Sequence, residues 1–405
     1  MLHCPYCKGR HDSQQCPFYL KAVALTRIKK TNFTENFQSN SPAPFVGHYG
    51  YPHINVGILA PQERTEDVWQ YDAPKHWAAQ SYKIPQIVDY RTGLTNSHEN
   101  VNIKQANKIV EISQQIAMAD KPVELEINLT KKPTLRAAFD AYTAPTGPTA
   151  QLKRATITAN PSIPTKVDKV VGDIDLKAAE AITYLYEHNF DENFLTRLLS
   201  VATLGIKTNR KLVPTRWSIT ATDDILGKHI ISEIKDYQTS DFSAYFGNYL
   251  GNYYLLLLFP EVWSYELFEI YLPTVRQTRI LDYSTDYEPF DGRKNYAADT
   301  TGGYYTVRLA ILEKLKQMKR QASVIAIRVI TDEYTLPLGV WVTREATRKT
   351  LAKNRITFAD DKLMLNYAQT LLKNKFGLDI TKIITESKLL NNVKKQRKLN
   401  AFFAT

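Results

Sequence analysis

The segment Val324–Ile330 constrains the fold of this chain more strongly than any other. It reads Val-Ile-Ala-Ile-Arg-Val-Ile, and such a concentration of β-branched residues favours a β-strand. The longest apolar stretch, Tyr253–Pro260, has the length of a buried strand. A third strand is predicted at 122–128. The chain therefore has to build a sheet with an apolar centre.

Apolar residues at helical spacing accompany these strands. The helices predicted from this spacing are 102–118, 175–189, 191–204, 222–236, 303–320, 342–354 and 360–375. Thr222-Asp223-Asp224 fits a capped helix start. The mixture predicts an α/β or α+β fold, with one large body of helices and strands over residues 45–375. Within this body, residues 130–165 contain five prolines and form either a long surface excursion or a seam between subdomains.

All three cysteines lie in the first sixteen residues, in the spacing C-x2-C-x3-H-x4-C, which comprises Cys4, Cys7, His11 and Cys16. Three thiolates and one imidazole form the tetrahedral ligand set that Zn²⁺ prefers, and four protein ligands make such a site structural. His3 is the competing fourth ligand. The odd number of cysteines and the lack of a secretion signal argue against disulfides. Residues 1–20 are therefore predicted to form a small zinc-binding module.

The formal net charge of +11 favours polyanionic partners. The last 25 residues hold six basic side chains and one acidic one, so part of this charge belongs to a predicted flexible tail over 376–405. Residues 21–44 are predicted to form a helix and then a linker. The chain has no run of eighteen apolar residues and no signal-peptide pattern. We expect a cytoplasmic, nucleoid-associated protein without membrane contact.

The last ten residues of the chain contain the pattern Q-x-x-h-x-x-F-F, formed by Gln396, Leu399, Phe402 and Phe403. It resembles the peptide by which replication and repair proteins dock on the sliding clamp, PCNA. One tight helical turn brings the three apolar side chains together as a plug and leaves the glutamine amide for a polar pocket. The alternative is a terminal amphipathic helix that packs on its own domain.

Four segments are richer in glycine and polar residues than a core requires: Phe45–Gly57, Asp89–Leu94, Asn209–Thr220 and Ala298–Arg308. Together with Pro337–Val342, they resemble the archaeal Nre family of DNA repair proteins, over residues 45–355. The match Arg-Lys-Leu-Val-Pro-Thr-Arg-Trp-Ser-Ile-Thr is long enough to be specific. The resemblance implies a role in the repair of damaged DNA together with the sliding clamp, in a family whose members often end in a clamp-binding peptide. It implies no particular activity.

The same segments supply the residues predicted to bind nucleic acid or phosphate. Cations and hydroxyls suit phosphate oxygens, aromatic rings stack on bases, and glycines allow close backbone approach. The predicted set is Gly47, Tyr49, Gly50, Tyr51, Asn55, Arg91, Arg210, Lys211, Arg216, Trp217, Ser218, Thr301, Gly302, Gly303 and Arg308. The structural alternatives are a buried strand with ion-paired arginines over Arg210–Thr220, and simple turn chemistry at Gly302-Gly303.

Catalysis is a separate hypothesis. A nuclease that uses Mg²⁺ or Mn²⁺ needs converging carboxylates, and the candidates are Asp173, Asp224 and Asp299, with His48 for proton transfer. Asp173 and Asp175 would point the same way on a strand, whereas Asp175 would alternatively cap a helix.

The leading hypothesis is a repair factor that the clamp tethers to DNA, with contacts to other repair proteins as a further option. Its rivals are a metal-dependent nuclease or nucleotide-processing enzyme, and a non-catalytic scaffold on the clamp. No P-loop or nucleophile-elbow motif supports the enzyme.

Overall fold

The computed structural model of the 405-residue chain describes residues 32–63, 65–134, 146–272 and 282–395. It is a mixed α/β protein with two compact units. The first comprises Met1–Leu226 and Thr335–Gly339, and the second comprises Gly227–Tyr334 and Val340–Thr405. The predicted zinc module at 1–20 and the predicted clamp peptide at 396–405 lie outside the described residues.

The first unit contains a six-stranded mixed sheet. Its strands are β1 (Asn36–Ser41), β2 (Ala43–Val46), β3 (His53–Pro61), β4 (Leu94–Asn102), β5 (Val123–Leu129) and β6 (Thr149–Ile157). Their order is β1-β5-β6-β4-β3-β2, and only β4 and β6 pair in parallel. Ile54, Val56 and Ile58 alternate along β3 and are fully buried, because alternate residues of a strand face the same side of the sheet.

In the described part of the first unit, six α-helices accompany this sheet, and a seventh begins in the first unit and ends in the second. They are α1 (Pro74–Ala79), α2 (Ile84–Gly93), α3 (Lys108–Met118), α4 (Thr165–Gly172), α5 (Ala178–Glu187), α6 (Glu192–Ser200) and α7 (Thr215–Ile234). Helix α3 begins at a capping asparagine, Asn107, whose side chain accepts a hydrogen bond from the Val110 N–H at 3.2 Å. Asp191 caps α6 in the same way through the Phe194 N–H.

The second unit contains a six-stranded mixed sheet in the order β10-β9-β11-β8-β7-β12. The strands are β7 (Ser243–Tyr249), β8 (Asn252–Phe259), β9 (Ser264–Tyr271), β10 (Tyr283–Glu288), β11 (Ser323–Ile330) and β12 (Ile356–Thr357). All eight residues of β11 are buried, because it is an interior strand between β9 and β8. The predicted strands at 252–259 and 322–330 are therefore confirmed.

Among the described residues, five helices belong to the second unit alone: α8 (Thr301–Met318), α9 (Trp341–Leu351), α10 (Asp361–Phe376), α11 (Thr381–Glu386) and α12 (Lys388–Lys395). The last two contribute Ile383, Leu389 and Leu390 to a buried apolar cluster with strands β8, β9 and β11. The prediction of a flexible tail is therefore wrong over 381–395, because apolar side chains of these residues pack against the sheet.

Three further predictions differ from the structure. Strands β1 and β2 occupy part of the range predicted as a linker. Helix α7 begins at Thr215, and the predicted helix start at Thr222 lies inside it. Asp173 is not in a strand but follows the end of α4, where its carboxylate accepts the N–H groups of Asp175 and Leu176 at 3.1 and 3.0 Å. This loop geometry removes the predicted pairing of Asp173 with Asp175.

None of the helices in the described parts of the chain combines the length and apolar character that a bilayer span requires.

Candidate nucleic-acid interface

Two of the four predicted segments meet in the first unit. The Val46 N–H, at the end of β2, donates to Thr215 Oγ1 at 3.0 Å. Ile103, just after β4, joins the same two segments, because its N–H donates to the Pro52 carbonyl at 3.0 Å and its carbonyl accepts the Leu212 N–H at 2.8 Å. Residues 46–52 and 212–217 therefore lie side by side, although they are distant in sequence.

The turn between β2 and β3 places its tyrosines in solvent. The Gly47 N–H donates to the Asn55 carbonyl at 2.8 Å and closes the turn. Gly50 has φ +83°, and a Cβ there would lie 2.7 Å from the His53 carbonyl oxygen. Both glycines thus serve the close approach of the turn to its own backbone. At its tip, the Tyr49 side chain is 84% exposed.

The start of α7 places Trp217 next to this turn. Ser218 is buried, and its hydroxyl donates to the Val213 carbonyl at 3.2 Å. The Trp217 ring lies 5.3 Å from the Tyr51 ring, centroid to centroid, and the two rings are 45% and 42% exposed. Tyr49, Tyr51 and Trp217 are called the aromatic surface below. Large exposed aromatic rings are the groups that stack on nucleic-acid bases.

Two cations accompany the aromatic surface. Lys211 and Arg216 are exposed, and within the described ranges neither has a hydrogen bond or ion pair. Arg210 differs, because its guanidinium donates to the carbonyls of Gly205, Val171 and Asp173 at 2.7, 3.0 and 2.9 Å. Burial lowers the Arg210 pKa, and Asp173 opposes this effect. Arg210 therefore organises the loop, while Lys211 and Arg216 can meet phosphates.

A cavity of about 380 Å³ is lined in part by the same segment, through Asn209–Lys211 and Val213. Its apolar wall includes Leu199, Leu204, Ile206 and Val213. Its polar lining includes the exposed residues Lys177, Asn209 and Lys211. Lys177 was not among the predicted site residues, because no sequence motif distinguishes it. Asn209 stood in one of the four segments without an assigned role.

The other candidates of the first unit use their polar atoms within the fold. The Arg91 guanidinium pairs with Asp72 at 2.9 Å and lies 6.0 Å from the centre of the Trp77 ring. Asn55 is exposed on β3, where its carbonyl side-chain oxygen accepts from the Asn100 amide at 3.1 Å. Neither residue adds an unpaired charge to the aromatic surface.

The predicted glycine-rich site of the second unit is a packing contact. Gly302 and Gly303 are buried in the first turn of α8, and a Cβ at Gly303 would lie 2.6 Å from Glu269 Oε1. Thr301 is exposed, while the buried Arg308 guanidinium pairs with Glu288 at 2.7 Å. A phosphate at this helix start would meet the Glu269 carboxylate. The structure therefore shows a helix–sheet packing role for Gly303, which differs from the simple turn chemistry predicted as the alternative.

The three predicted aspartates do not converge on a metal site within the described residues. No set of three potential ligands within either unit contains Asp173, Asp224 or Asp299, as far as the described residues extend. Asp173 accepts backbone N–H groups, and Asp224 lies inside α7. His48 is half-buried, with its ring 4.0 Å from the Tyr49 ring.

The geometry defines a class of protein: a mixed α/β protein with an exposed aromatic surface and exposed cations in the same segment of the chain. Two family models match, described as "Archaeal Nre, N-terminal" over residues 11–276 and "Archaeal Nre, C-terminal" over residues 288–402. The chain therefore belongs to the archaeal Nre family of DNA repair proteins.

Individual relatives agree with this assignment. The chain is 35% identical to the DNA repair protein NreB of Archaeoglobus fulgidus, over 96% of this chain and 97% of the relative. It is 35% identical to the DNA repair protein NreA of Haloferax volcanii, over 76% of each chain, and 33% identical to NreA of Archaeoglobus fulgidus, over 92% and 95%. No solved structure matches the chain.

Proposed function

We propose that this protein is a DNA repair factor that contacts DNA through the aromatic surface and is held at DNA by the sliding clamp. The observation that carries the DNA contact is the meeting of Tyr51 and Trp217 at 5.3 Å, close in sequence to the exposed Lys211 and Arg216, which have no ion pair within the described residues. Aromatic rings would stack on bases while the cations meet the backbone phosphates.

Bases must leave the duplex stack to stack on side chains, because neighbouring base pairs cover their faces. The aromatic surface therefore favours single-stranded DNA, or the unpaired bases at a lesion or junction. Arg216 and Lys211 add a salt-dependent contribution that does not depend on sequence. The body would accordingly prefer exposed bases over an intact duplex of the same length.

The clamp contact is proposed from the sequence of the last ten residues, Gln396–Thr405. The zinc module is proposed from the spacing of Cys4, Cys7, His11 and Cys16, which offers a closed tetrahedral set. Zinc would stabilise this short terminal segment, which has few apolar residues to form a core. A nuclease that requires Mg²⁺ or Mn²⁺ has no support from the placement of Asp173, Asp224 and Asp299.

Trp217→Ala tests the DNA contact. Stacking on one base contributes about 1–3 kcal/mol, so we expect weaker binding of a labelled single-stranded oligonucleotide by at least about fivefold. Fluorescence anisotropy measures this binding. Trp69→Ala is the matched control, because Trp69 is also in the first unit and 41% exposed. Equal binding by both variants and the wild type would contradict the proposed interface.

A further inference from the structure

We propose that the cavity lined by Lys177, Asn209 and Lys211 binds a single nucleotide through its phosphate and its base. The inference rests on the proposed DNA contact for its choice of ligand. A nucleotide presents an anionic phosphate and a flat, largely apolar base face. The cavity offers the same combination, because its lining includes cations, an amide and aliphatic side chains.

The size of the cavity suits such a ligand. Its volume of about 380 Å³ lies within the range of small-molecule sites. Leu199, Leu204 and Val213 supply apolar contact for a base, while the Asn209 side chain offers both a donor and an acceptor for a base edge. Binding pockets of this kind are mostly apolar, with a few polar groups that orient the ligand.

The wall of the cavity is held in place by the fold. Gly205 has φ +102°, and a Cβ there would lie 3.4 Å from the Ala178 Cβ at the start of α5. The Arg210 guanidinium donates one hydrogen bond from each of its three nitrogens to a backbone carbonyl, so it fixes the loops around the cavity. Arg210 is therefore a positioning residue, and the contact with phosphate falls to Lys177 and Lys211.

Lys177 can bind an anion with little loss of folding stability. Its ammonium lies 3.5 Å from Glu180, and both side chains are exposed, so the pair contributes little to stability. A phosphate in the cavity would replace this partner. Lys211, which lines the cavity and belongs to the segment of the aromatic surface, has no ion pair in the described part of the chain.

A short stretch of chain, residues 213–217, connects the cavity to the aromatic surface. Val213 lies in the cavity wall and precedes Trp217 by four residues, which span at most about 14 Å. One unpaired nucleotide of a DNA strand that contacts the aromatic surface could therefore reach the cavity. A free nucleotide presents the same chemistry, and the experiment separates these two sources.

The test uses the full chain, isothermal titration calorimetry with the four 2′-deoxynucleoside 5′-monophosphates, and anisotropy with a single-stranded oligonucleotide. Lys177→Ala should weaken nucleotide binding about fivefold, and Ile206→Trp should block it by filling the cavity. Lys108→Ala is the matched control, because Lys108 is also exposed, starts a helix and pairs with the glutamate three residues on, at 3.2 Å. Unchanged thermal unfolding midpoints show that the variants fold.

Three outcomes decide the inference. Weaker monophosphate binding in Lys177→Ala and its loss in Ile206→Trp, with Lys108→Ala unchanged, support a site for free nucleotides. If only oligonucleotide binding falls in the two cavity variants, the ligand is a nucleotide within a strand. If folded cavity variants bind both probes like wild type, the inference is overturned, while loss of oligonucleotide binding in Trp217→Ala would still support the proposed function.

Discussion

At the scale of single residues, a glycine pair before a helix can serve either of two roles, phosphate binding or close packing. In the sequence, Gly302-Gly303 resembles a helix start that holds a phosphate. In the structure, Gly303 lets α8 approach β9 closely, because Glu269 and the Arg328 guanidinium, paired at 2.6 Å, lie beneath it. Sequence alone cannot separate these cases, since both require the absence of a side chain at the same helix position.

Gly303→Ala tests the packing role. The added Cβ would lie 2.6 Å from Glu269 Oε1, so the buried ion pair with Arg328 has to shift. We expect the free energy of unfolding to fall by about 1–3 kcal/mol. Urea denaturation measures it, and Gly172→Ala is the control, because a Cβ at Gly172 meets nothing within 4 Å. Equal stability of the two variants would argue against the close contact.

Elements were predictable where one physical signal dominates. Apolar content and spacing predict the strands β8 and β11 and the helices α8, α9 and α10. Each of these elements buries apolar side chains in the core. The start of α7 was misplaced because Thr222 and Asp223 resemble capping residues. Both are fully buried inside the helix, and a cap signal cannot reveal tertiary burial. The meeting of Tyr51 with Trp217 depends on hydrogen bonds through Ile103, which sequence spacing does not encode.

Helix α12 illustrates how one buried carboxylate holds an element. Glu266 on β9 is buried, and its carboxylate accepts the Ser387 hydroxyl at 2.5 Å and the N–H groups of Lys388 and Leu389 at 3.0 Å each. Burial raises the Glu266 pKa above its ordinary value of 4.5, while these hydrogen bonds and the Lys388 charge oppose the rise. The first turn of α12 is thus attached to the sheet by a group whose ionised form is disfavoured.

This arrangement predicts a pH effect on stability. Because the folded protein raises the Glu266 pKa, the stabilisation linked to its protonation is complete below pH 4.5 and is lost as pH rises through the raised pKa. The unfolding free energy of wild type, relative to Glu266→Gln, should therefore fall with rising pH in this window. Urea titrations at a series of pH values measure it. Glu126→Gln, at an exposed position on β5, should give no such trend; a flat difference for Glu266→Gln would refute the argument.

At the scale of the whole molecule, the proposed function assigns DNA contact and recruitment by the clamp to different parts of the chain. The aromatic surface lies in the first unit, whereas the proposed clamp peptide ends the chain. A tether raises the local concentration of a weak binding surface near its target. The protein would therefore need only modest affinity for DNA, provided that the clamp is already loaded there. Two independent sets of variants should then affect two independent measurements.

Phe402→Ala/Phe403→Ala should abolish co-elution of the full chain with the sliding clamp, because the two rings form most of the predicted apolar plug. Arg397→Ala/Lys398→Ala is the control: it removes two charges from the same peptide, keeps the plug, and should retain co-elution at physiological salt. Binding of single-stranded DNA without the clamp should be unchanged in the phenylalanine variant, since the proposed stacking residues lie at Tyr51 and Trp217. Persistent co-elution of that variant would mean that another part of the chain binds the clamp. This result would contradict the proposal that the last ten residues tether the protein to the clamp.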